Sequence, residues 1–376
     1  MGHSFKIILL VLLLSNLADA QAIKWAKDKI GSILADTASP EKVRIIAYPT
    51  IAYTPETRWE FGISALMVYH AAKDTTNRLS EINAFTFITL ERQYGFWLDH
   101  ALYSDKNEWF FLGSLRWQSF PLRYYGIGPS TPNDYAAVVE SNSLVIRERI
   151  LKKIIPSVYG GLEFDYQRLG SVSFIPSEES DILPLPLGSE GGGNLGLGLG
   201  IVYDNRHNLL NVRQGFFGEF AYLRYNLFSE SGRHFDKTSL DLRYYQTTFK
   251  NQVLAFQVLG ITASGPVPYN LMAEMGGEVI MRGYYRGRYR DNSFAAMQAE
   301  YRWLPFPFSK RFGAALFASY GNVGENLYNL SETSWKWGAG GGLRFLLFPR
   351  KDIYTRLDFA WTKESSGIYF FIGESF

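Results

Sequence analysis

From Arg44 to Phe376 the chain alternates apolar and polar residues in short runs, which are separated by segments rich in Gly, Asn, Asp and Pro. Alternation with a period of two is typical of β-strands, because successive side chains of a strand point to opposite faces. The run that begins at Ile353 has one apolar face: Ile353, Thr355, Leu357, Phe359 and Trp361. Its other face carries Tyr354, Arg356, Asp358 and Ala360. The sequence therefore predicts an all-β fold.

The sequence predicts sixteen such strands, an even number that fits a closed antiparallel barrel with both chain ends on one side of a membrane. Their predicted starts lie near Arg44, Trp59, Ser80, Gln93, Glu108, Ala136, Ser157, Asn194, Gln214, Thr238, Gln252, Ser293, Arg311, Lys336, Ile353 and Gly367. If strand 1 runs outward, the longer connections lie on the outer side and the short turns on the periplasmic side, as in outer-membrane barrels.

The alternation alone does not separate a transmembrane barrel from a soluble all-β secreted protein. Residues 1–20 have the features of a secretory signal peptide: Lys6, the apolar run Ile7–Leu14 and the sequence Ala18-Asp19-Ala20. Aromatic residues make up 16% of the chain, and no segment reaches eighteen consecutive apolar residues. These properties favour a 16-stranded antiparallel transmembrane β-barrel in the outer membrane, in contact with its lipid.

Three regions are expected along the chain. Residues 1–20 are the predicted signal peptide. Residues 21–43 carry a helical stripe of Ile23, Ala26, Ile30 and Ile33, which predicts a short periplasmic N-terminal segment. Residues 44–376 form the predicted barrel.

The stretch Met281–Asp291 holds four arginines and three tyrosines and lies in the longest predicted loop, residues 265–292, between strands 11 and 12. So many cations do not suit a strand or a packed core. They suit a loop that folds inward into a polar lumen and finds carboxylates there, because an unpaired buried charge is costly.

Several motifs resemble the BamA/TamA (outer-membrane protein 85) superfamily. Met281-Arg282-Gly283-Tyr284 is similar to the signature of the family's sixth outer loop, and Glu300-Tyr301-Arg302 to its strand-12 motif. The resemblance, which extends over residues 44–376, implies a barrel that assembles, inserts or translocates outer-membrane proteins, or a subunit of such a complex. It implies no cofactor and no bond chemistry.

Two departures from the family pattern stand out. Ser319 occupies the position where the family has an Asp in strand 13. The region before the barrel is also too short for the periplasmic POTRA domains of the family's assembly factors, so the chain resembles the barrel-only, bacterial surface antigen type. We therefore expect either that substrate recruitment depends on a periplasmic or outer-membrane partner, or that the function is a different one altogether.

A lock for the loop follows from the alternation of strands 12 and 15, which points Glu300 and Asp358 inward. We expect Arg282 to pair with Glu300, and Asp358 to replace the missing Asp at position 319, because guanidinium and carboxylate form charge-assisted hydrogen bonds. Gly283 and Tyr284 belong to the same motif. The alternative is a solvated loop tip that binds surface polysaccharide.

Glycines line one face of two strands, at 196, 198 and 200 and at 338, 340 and 342. Glycine within a strand often marks the close approach of another backbone. These faces therefore either leave room for the inserted loop or allow local bending of the strands.

A weak lateral seam is expected between strands 1 and 16. Strand 1 contains Pro49, which lacks a backbone donor. The terminal strand is expected to run through Gly373 to Phe376, an aromatic end that resembles the insertion signal of outer-membrane barrels. The seam would open sideways; the alternative is that Pro49 lies at a solvated bend.

Other function classes find little support. Lys and Arg number 38 against 36 Asp and Glu, a balance that does not indicate nucleic-acid binding. The sequence has no Cys, no motif of a hydrolase or a zinc protease and no metal-ligand spacing, so we expect no enzyme and no metal site. Asp99 and His100 would face opposite sides of a strand. A passive porin-like channel and a scaffold barrel for a periplasmic or surface partner remain the alternative functions.

Overall fold

A computed structural model of the chain describes residues 44–177, 184–206, 211–227, 233–331, 335–349 and 352–376. The predicted signal peptide and N-terminal segment, residues 1–43, lie outside the described residues. Within them, no helix is long and apolar enough to cross a membrane.

Sixteen long antiparallel strands form a closed barrel, which confirms the predicted fold class. They are β1 (Arg44–Thr54), β2 (Arg58–His70), β3 (Leu79–Thr89), β4 (Tyr94–Tyr103), β5 (Trp109–Ser119), β6 (Ala137–Ile155), β7 (Val158–Pro176), β8 (Gly192–Asp204), β9 (Gly215–Tyr225), β10 (Phe235–Phe249), β11 (Gln252–Ser264), β12 (Ser293–Trp303), β13 (Phe312–Gly324), β14 (Lys336–Phe348), β15 (Ile353–Thr362) and β16 (Ser366–Ile372). The largest difference from a predicted start is at β10, which begins at Phe235 rather than near Thr238.

Each strand pairs with its neighbours in sequence, and β1 pairs with β16 to close the barrel. The side chains alternate as predicted. Trp59, Ile63 and Leu343 are exposed on the outer face, whereas Arg302 and Arg344 are fully buried on the inner face. An apolar outer face and a polar interior are the pattern of transmembrane barrels.

Three short strands were not predicted. Leu122–Tyr124 pairs with the first residues of β6, so that β6 and β7 extend beyond their neighbours. Ala273–Met275 pairs with Tyr289–Asp291 as a small separate ribbon within the loop between β11 and β12. This ribbon gives the loop an internal structure that positions its charged tip.

Candidate functional site

The loop of residues 265–292, here called the inward loop, folds into the barrel. Met275, Met281 and Tyr284 are at most 1% exposed and pack with Phe294 and Val323 of the barrel wall. Gly283 has a φ of +103°, which residues with a side chain rarely adopt, and a Cβ there would lie 2.7 Å from Thr362. Burial of these apolar groups holds the tip of the loop in the lumen.

Arg282 lies at that tip between two carboxylates. Its guanidinium donates to Glu300 and to Asp358, each over 2.6 Å, and all three side chains are at most 1% exposed. The predicted pair with Glu300 is thus present, and Asp358 supplies the second carboxylate. Arg282 also stacks on the ring of Phe317, with 3.4 Å from its guanidinium carbon to the ring centre.

Around this pair lies a larger buried network that was not predicted from the sequence. Arg344 donates to Asp358 (2.6 Å), Glu300 (3.1 Å) and Glu374 (2.9 Å). Arg302 donates to Glu300 (3.0 Å) and Arg356 to Asp358 (2.9 Å). Four guanidinium groups therefore share three carboxylates. The sequence did contain a signal for this network, because the alternation of the predicted strands points Arg302, Arg344 and Arg356 inward.

Ser319 and its neighbours show how the family pattern is altered here. Ser319 donates to the carbonyl of Gly338 over 3.3 Å, and the guanidinium of Arg282 donates to Glu300 and Asp358 instead. A Cβ on Gly338 would lie 2.8 Å from the carbonyl oxygen of Arg282, so this glycine leaves room for the inserted loop. The glycines at 196 and 200 instead make room for the side chains of Tyr225 and Glu163. The prediction that these glycines leave room for the inserted loop is therefore confirmed for Gly338 and wrong for Gly196 and Gly200.

The other arginines of the Met281–Asp291 stretch also meet carboxylates. Arg286 and Arg290 both pair with Glu274 of the ribbon, at 3.5 and 3.0 Å. Arg288 pairs with Glu364, between β15 and β16, at 2.9 Å. A loop tip free in solvent is therefore not what the structure shows.

The inward loop touches both sides of the β1–β16 seam. The backbone N–H of Gly283 donates to the hydroxyl of Tyr369 on β16 over 2.9 Å. Three residues later, the N–H of Arg286 donates to the carboxylate of Glu56, in the turn between β1 and β2, over 2.6 Å. The loop is therefore a bridge across the inside of the seam.

The seam itself has little strand pairing. β1 pairs with β2 along its whole length, from Arg44 opposite Val68 to Thr54 opposite Arg58. Against β16, Tyr53 opposite Phe370 is the one register pair among the described residues. Pro49 lies within β1, opposite Ile63 of β2, and not at a bend. The described strands thus share a short register at this seam, and its weakness stays a prediction.

The end of the chain differs from the prediction. β16 ends at Ile372, and Gly373 has a φ of +93°, so the last residues do not continue the strand. Glu374 turns inward to Arg344, and Ser375 donates to Glu300 over 3.2 Å. Phe376 packs against Val212, Tyr245 and Ala255 across the lumen. The aromatic end is thus part of the interior and not of the outer wall, because the charged network draws the tail inward.

Burial and charge change the acidity of groups in the loops. Burial raises the pKa of Tyr284 to about 12. Burial also raises the pKa of Glu56, although the Arg286 N–H opposes it. Burial would raise the pKa of Glu274 as well, but Arg290 and Arg286 outweigh it and hold this pKa below its usual value. Glu274 is therefore an anchor that stays ionised at neutral pH.

The inward loop does not fill the whole lumen. A chamber of about 590 Å³ remains between the loop and β4 to β7, lined by Arg116, Arg147, Lys237 and Glu274 among others. Two further ion pairs join strand-end and loop residues: Asp204 pairs with Arg78 (3.1 Å) and Arg213 with Asp352 (2.6 Å). No cluster of three metal-ligating side chains occurs in the described ranges.

Comparisons with known proteins relate this chain to a protein family and to solved structures. Residues 157–376 match the Omp85 superfamily domain. The structure is similar to BamA from Haemophilus ducreyi lacking POTRA domains 1-3, with a TM-score of 0.54 and 11% identity over 94% of this chain and 78% of that chain. No curated protein matches the sequence.

Two CdiB structures are similar to the same degree. CdiB from Acinetobacter baumannii has a TM-score of 0.54 and 13% identity, over 87% of this chain and 59% of that chain. CdiB from Escherichia coli has a TM-score of 0.54 and 10% identity, over 93% of this chain and 70% of that chain. At such identities the similarity shows a shared fold.

Proposed function

Because this chain belongs to the Omp85 superfamily, we propose that its barrel acts in the assembly, insertion or translocation of proteins at the bacterial outer membrane. The proposed work is conformational and involves no bond chemistry. The likeness of its barrel to those of BamA and CdiB supports the proposal. We further propose that it works with a periplasmic or outer-membrane partner protein.

The observation that carries the proposal is the single register pair between Tyr53 and Phe370. Inside a bilayer the backbone N–H and C=O groups of a strand must find partners within protein, because lipid tails offer none. Among the described residues β1 shares one register pair with β16, against eleven with β2. An edge of this kind is a template for the strand of a client protein.

The inward loop would control this edge. It bonds to Tyr369 on one side of the seam and to Glu56 on the other, so separating β1 from β16 must break at least one of these bonds. The Arg282 network anchors the loop on β12 and β15 while it does so. In the proposed mechanism, release of the loop precedes lateral opening.

A reversible lock across the seam tests the proposal. The chain has no native cysteine, so Tyr53→Cys with Phe370→Cys gives one defined disulfide between directly paired residues. The locked barrel, reconstituted in vesicles, should fail to promote insertion of a urea-denatured eight-stranded barrel. Reduction should restore insertion.

The control disulfide joins β1 to β2 through Ala47→Cys and Ala65→Cys, which are also directly paired. It crosses a boundary that is already fully paired, so it should leave insertion unchanged. Full activity of the barrel locked between β1 and β16 would rule out lateral opening.

A second candidate function, a passive porin-like channel, is favoured by the chamber beside the inward loop. Planar-bilayer conductance separates the two. A barrel closed by its loop should give small, flickering currents, whereas a channel should conduct steadily.

A further inference from the structure

Two ionisable side chains face outward in the middle of the barrel wall. Nε2 of His100 on β4 lies 2.9 Å from Oε2 of Glu148 on β6. They meet over Gly113 of β5, whose missing side chain leaves the space, since a Cβ there would lie 2.5 Å from His100 and 2.4 Å from Glu148. Asp99, the neighbour of His100, points to the lumen and pairs with Arg116, as the alternation predicts.

The register shows that this pair faces the membrane. Gly113 lies directly opposite His100 on one side and Glu148 on the other, and the three therefore share a face. Trp109, Trp117 and Ile150, on the same face of β5 and β6, are exposed to the outside. The lumenal face of β6 carries Leu151, which is fully buried.

The pair lies near the centre of the apolar band. Trp109 and Trp117 precede and follow Gly113 by four residues each on β5. Aromatic girdles mark the two interfaces of a transmembrane barrel. Four residues of a strand rise about 13 Å, and a tilt of about 40° reduces this to roughly 10 Å of depth on each side.

The other ionisable side chains that the alternation points outward lie towards strand ends, except Arg168, which lies midway along β7 beside Gly193 at the start of β8. In the described strands these are Glu140, Lys152, Arg168, Arg224 and Asp236. Near an interface such groups reach water or headgroups. His100 and Glu148 do not, and Oε1 of Glu148 is buried without a hydrogen-bond partner. An ionisable pair at this depth is costly in lipid alone, and the barrel proposed above would gain by covering it with protein.

We propose that His100, Gly113 and Glu148 form a contact surface for a second copy of this chain within the membrane. The surface holds a donor and an acceptor side by side, so it is complementary to itself about a two-fold axis. His100 of each copy would bond to Glu148 of the other. Gly113 lets the two walls approach closely, as small residues do in membrane interfaces. The side chains remain accessible, with 16% and 31% of their surfaces exposed.

Site-specific crosslinking tests this contact in the full chain. Leu115→Cys places a single thiol on the outward face of β5, two residues from Gly113. Met297→Cys on β12, an outward residue that is 51% exposed, is the matched control on another part of the wall. Both variants are reconstituted in phospholipid vesicles over a range of protein-to-lipid ratios, and also oxidised in native outer membranes.

Two variants of the pair complete the experiment. His100→Leu with Glu148→Leu removes donor and acceptor, and should reduce the dimer crosslinked through position 115 by about fivefold or more, equivalent to a membrane hydrogen bond of about 1 kcal/mol. His100→Glu with Glu148→His keeps one of each and should preserve the dimer. Heat-modifiable migration on gels verifies that every variant is a folded barrel.

The expected result is a dimer through position 115 that is lost in the double leucine variant and kept in the exchanged one. Three results would overturn the proposal: no dimer at any ratio, equal crosslinking from position 297, or crosslinking of position 115 to a different protein. The readout does not depend on insertion activity, so this proposal and the proposed function succeed or fail separately.

Discussion

Gly283 donates its backbone N–H to the phenolic oxygen of Tyr369, 2.9 Å away, and thereby joins the tip of the inward loop to the last strand of the barrel. Ser365, just before β16, adds a hydrogen bond of 2.7 Å to the carbonyl of the same glycine. The contacts that hold the loop therefore extend beyond Arg282 and its carboxylates. They reach β16, which pairs with β1 over a much shorter length than β2 does.

Replacing Arg282 should loosen the loop. Arg282→Ala removes one partner from a fully buried ion pair and leaves Glu300 and Asp358 less compensated, a change that typically costs about 3–5 kcal/mol. We expect faster proteolysis within residues 265–292 and a lower unfolding temperature. Arg282→Lys keeps the charge but loses the planar guanidinium that reaches both carboxylates. Its protease sensitivity and unfolding temperature should therefore lie between those of the native chain and of Arg282→Ala. Unchanged protease sensitivity of the alanine variant would falsify the lock.

The family's Asp can be moved back to its usual position. Asp358→Asn removes one carboxylate from Arg282, and should expose the loop to protease. Ser319 lies next to the loop backbone, since its hydroxyl and the carbonyl of Arg282 are both near Gly338. Adding Ser319→Asp to Asp358→Asn should therefore restore much of the protection.

A double-mutant cycle measures this rescue. The free energies of unfolding of the two single variants and the double variant should be non-additive, with the double variant more stable than the sum of the single effects. Strict additivity would show that the two positions act independently.

The ribbon within the loop should release in acid. Arg290 and Arg286 hold the pKa of Glu274 below its usual value despite burial, so ionised Glu274 stabilises the folded loop. A carboxyl group with a depressed pKa contributes fully above its unfolded pKa of about 4.3, and its contribution is lost as the pH falls through the lower folded pKa.

Hydrogen exchange or proteolysis of the loop across pH 7 to 3 measures this effect. At neutral pH, Glu274→Gln should have a less protected loop than the native chain. The difference between the two should shrink towards the acid end, because more of the native carboxyl is protonated there. A difference that is constant over the whole range would contradict the role given to Glu274.

The sequence predicted the strands well because alternation and turn residues are local properties. All sixteen strands were identified, and the inward register of Glu300 and Asp358 followed from counting along β12 and β15. Arg302, Arg344 and Arg356 were visible in the same registers, but counting along a strand does not show which charges from separate strands meet in the lumen. Their convergence depends on barrel closure and shear, which are properties of the whole sheet.

The inward turn at Gly373 could not be predicted for a related reason. The sequence from Gly367 to Phe376 alternates like a strand to its end, and strand propensity favours that reading. What overrides it is the pull of Arg344 and Arg302 on Glu374, at 2.9 and 3.8 Å, from strands not adjacent in sequence. The last residues, from Glu374 to Phe376, therefore form contacts in the lumen, including the ion pairs of Glu374, and do not extend the pairing at the seam.

This exchange makes Gly373 a test of what limits the seam. Its φ of +93° is strained for any residue with a side chain, although a Cβ would meet open space there. Gly373→Ala should therefore disfavour the inward turn without a steric clash and shift Glu374, Ser375 and Phe376 towards continued pairing with β1. We expect faster disulfide formation between Cys residues at 53 and 370, and weaker client insertion.

Glu374→Gln retains the flexible glycine and loses the charge, so it separates the effect of the backbone conformation from that of the ion pairs. If only this second variant strengthens the seam, the ion pairs rather than the backbone conformation of Gly373 hold the tail inside.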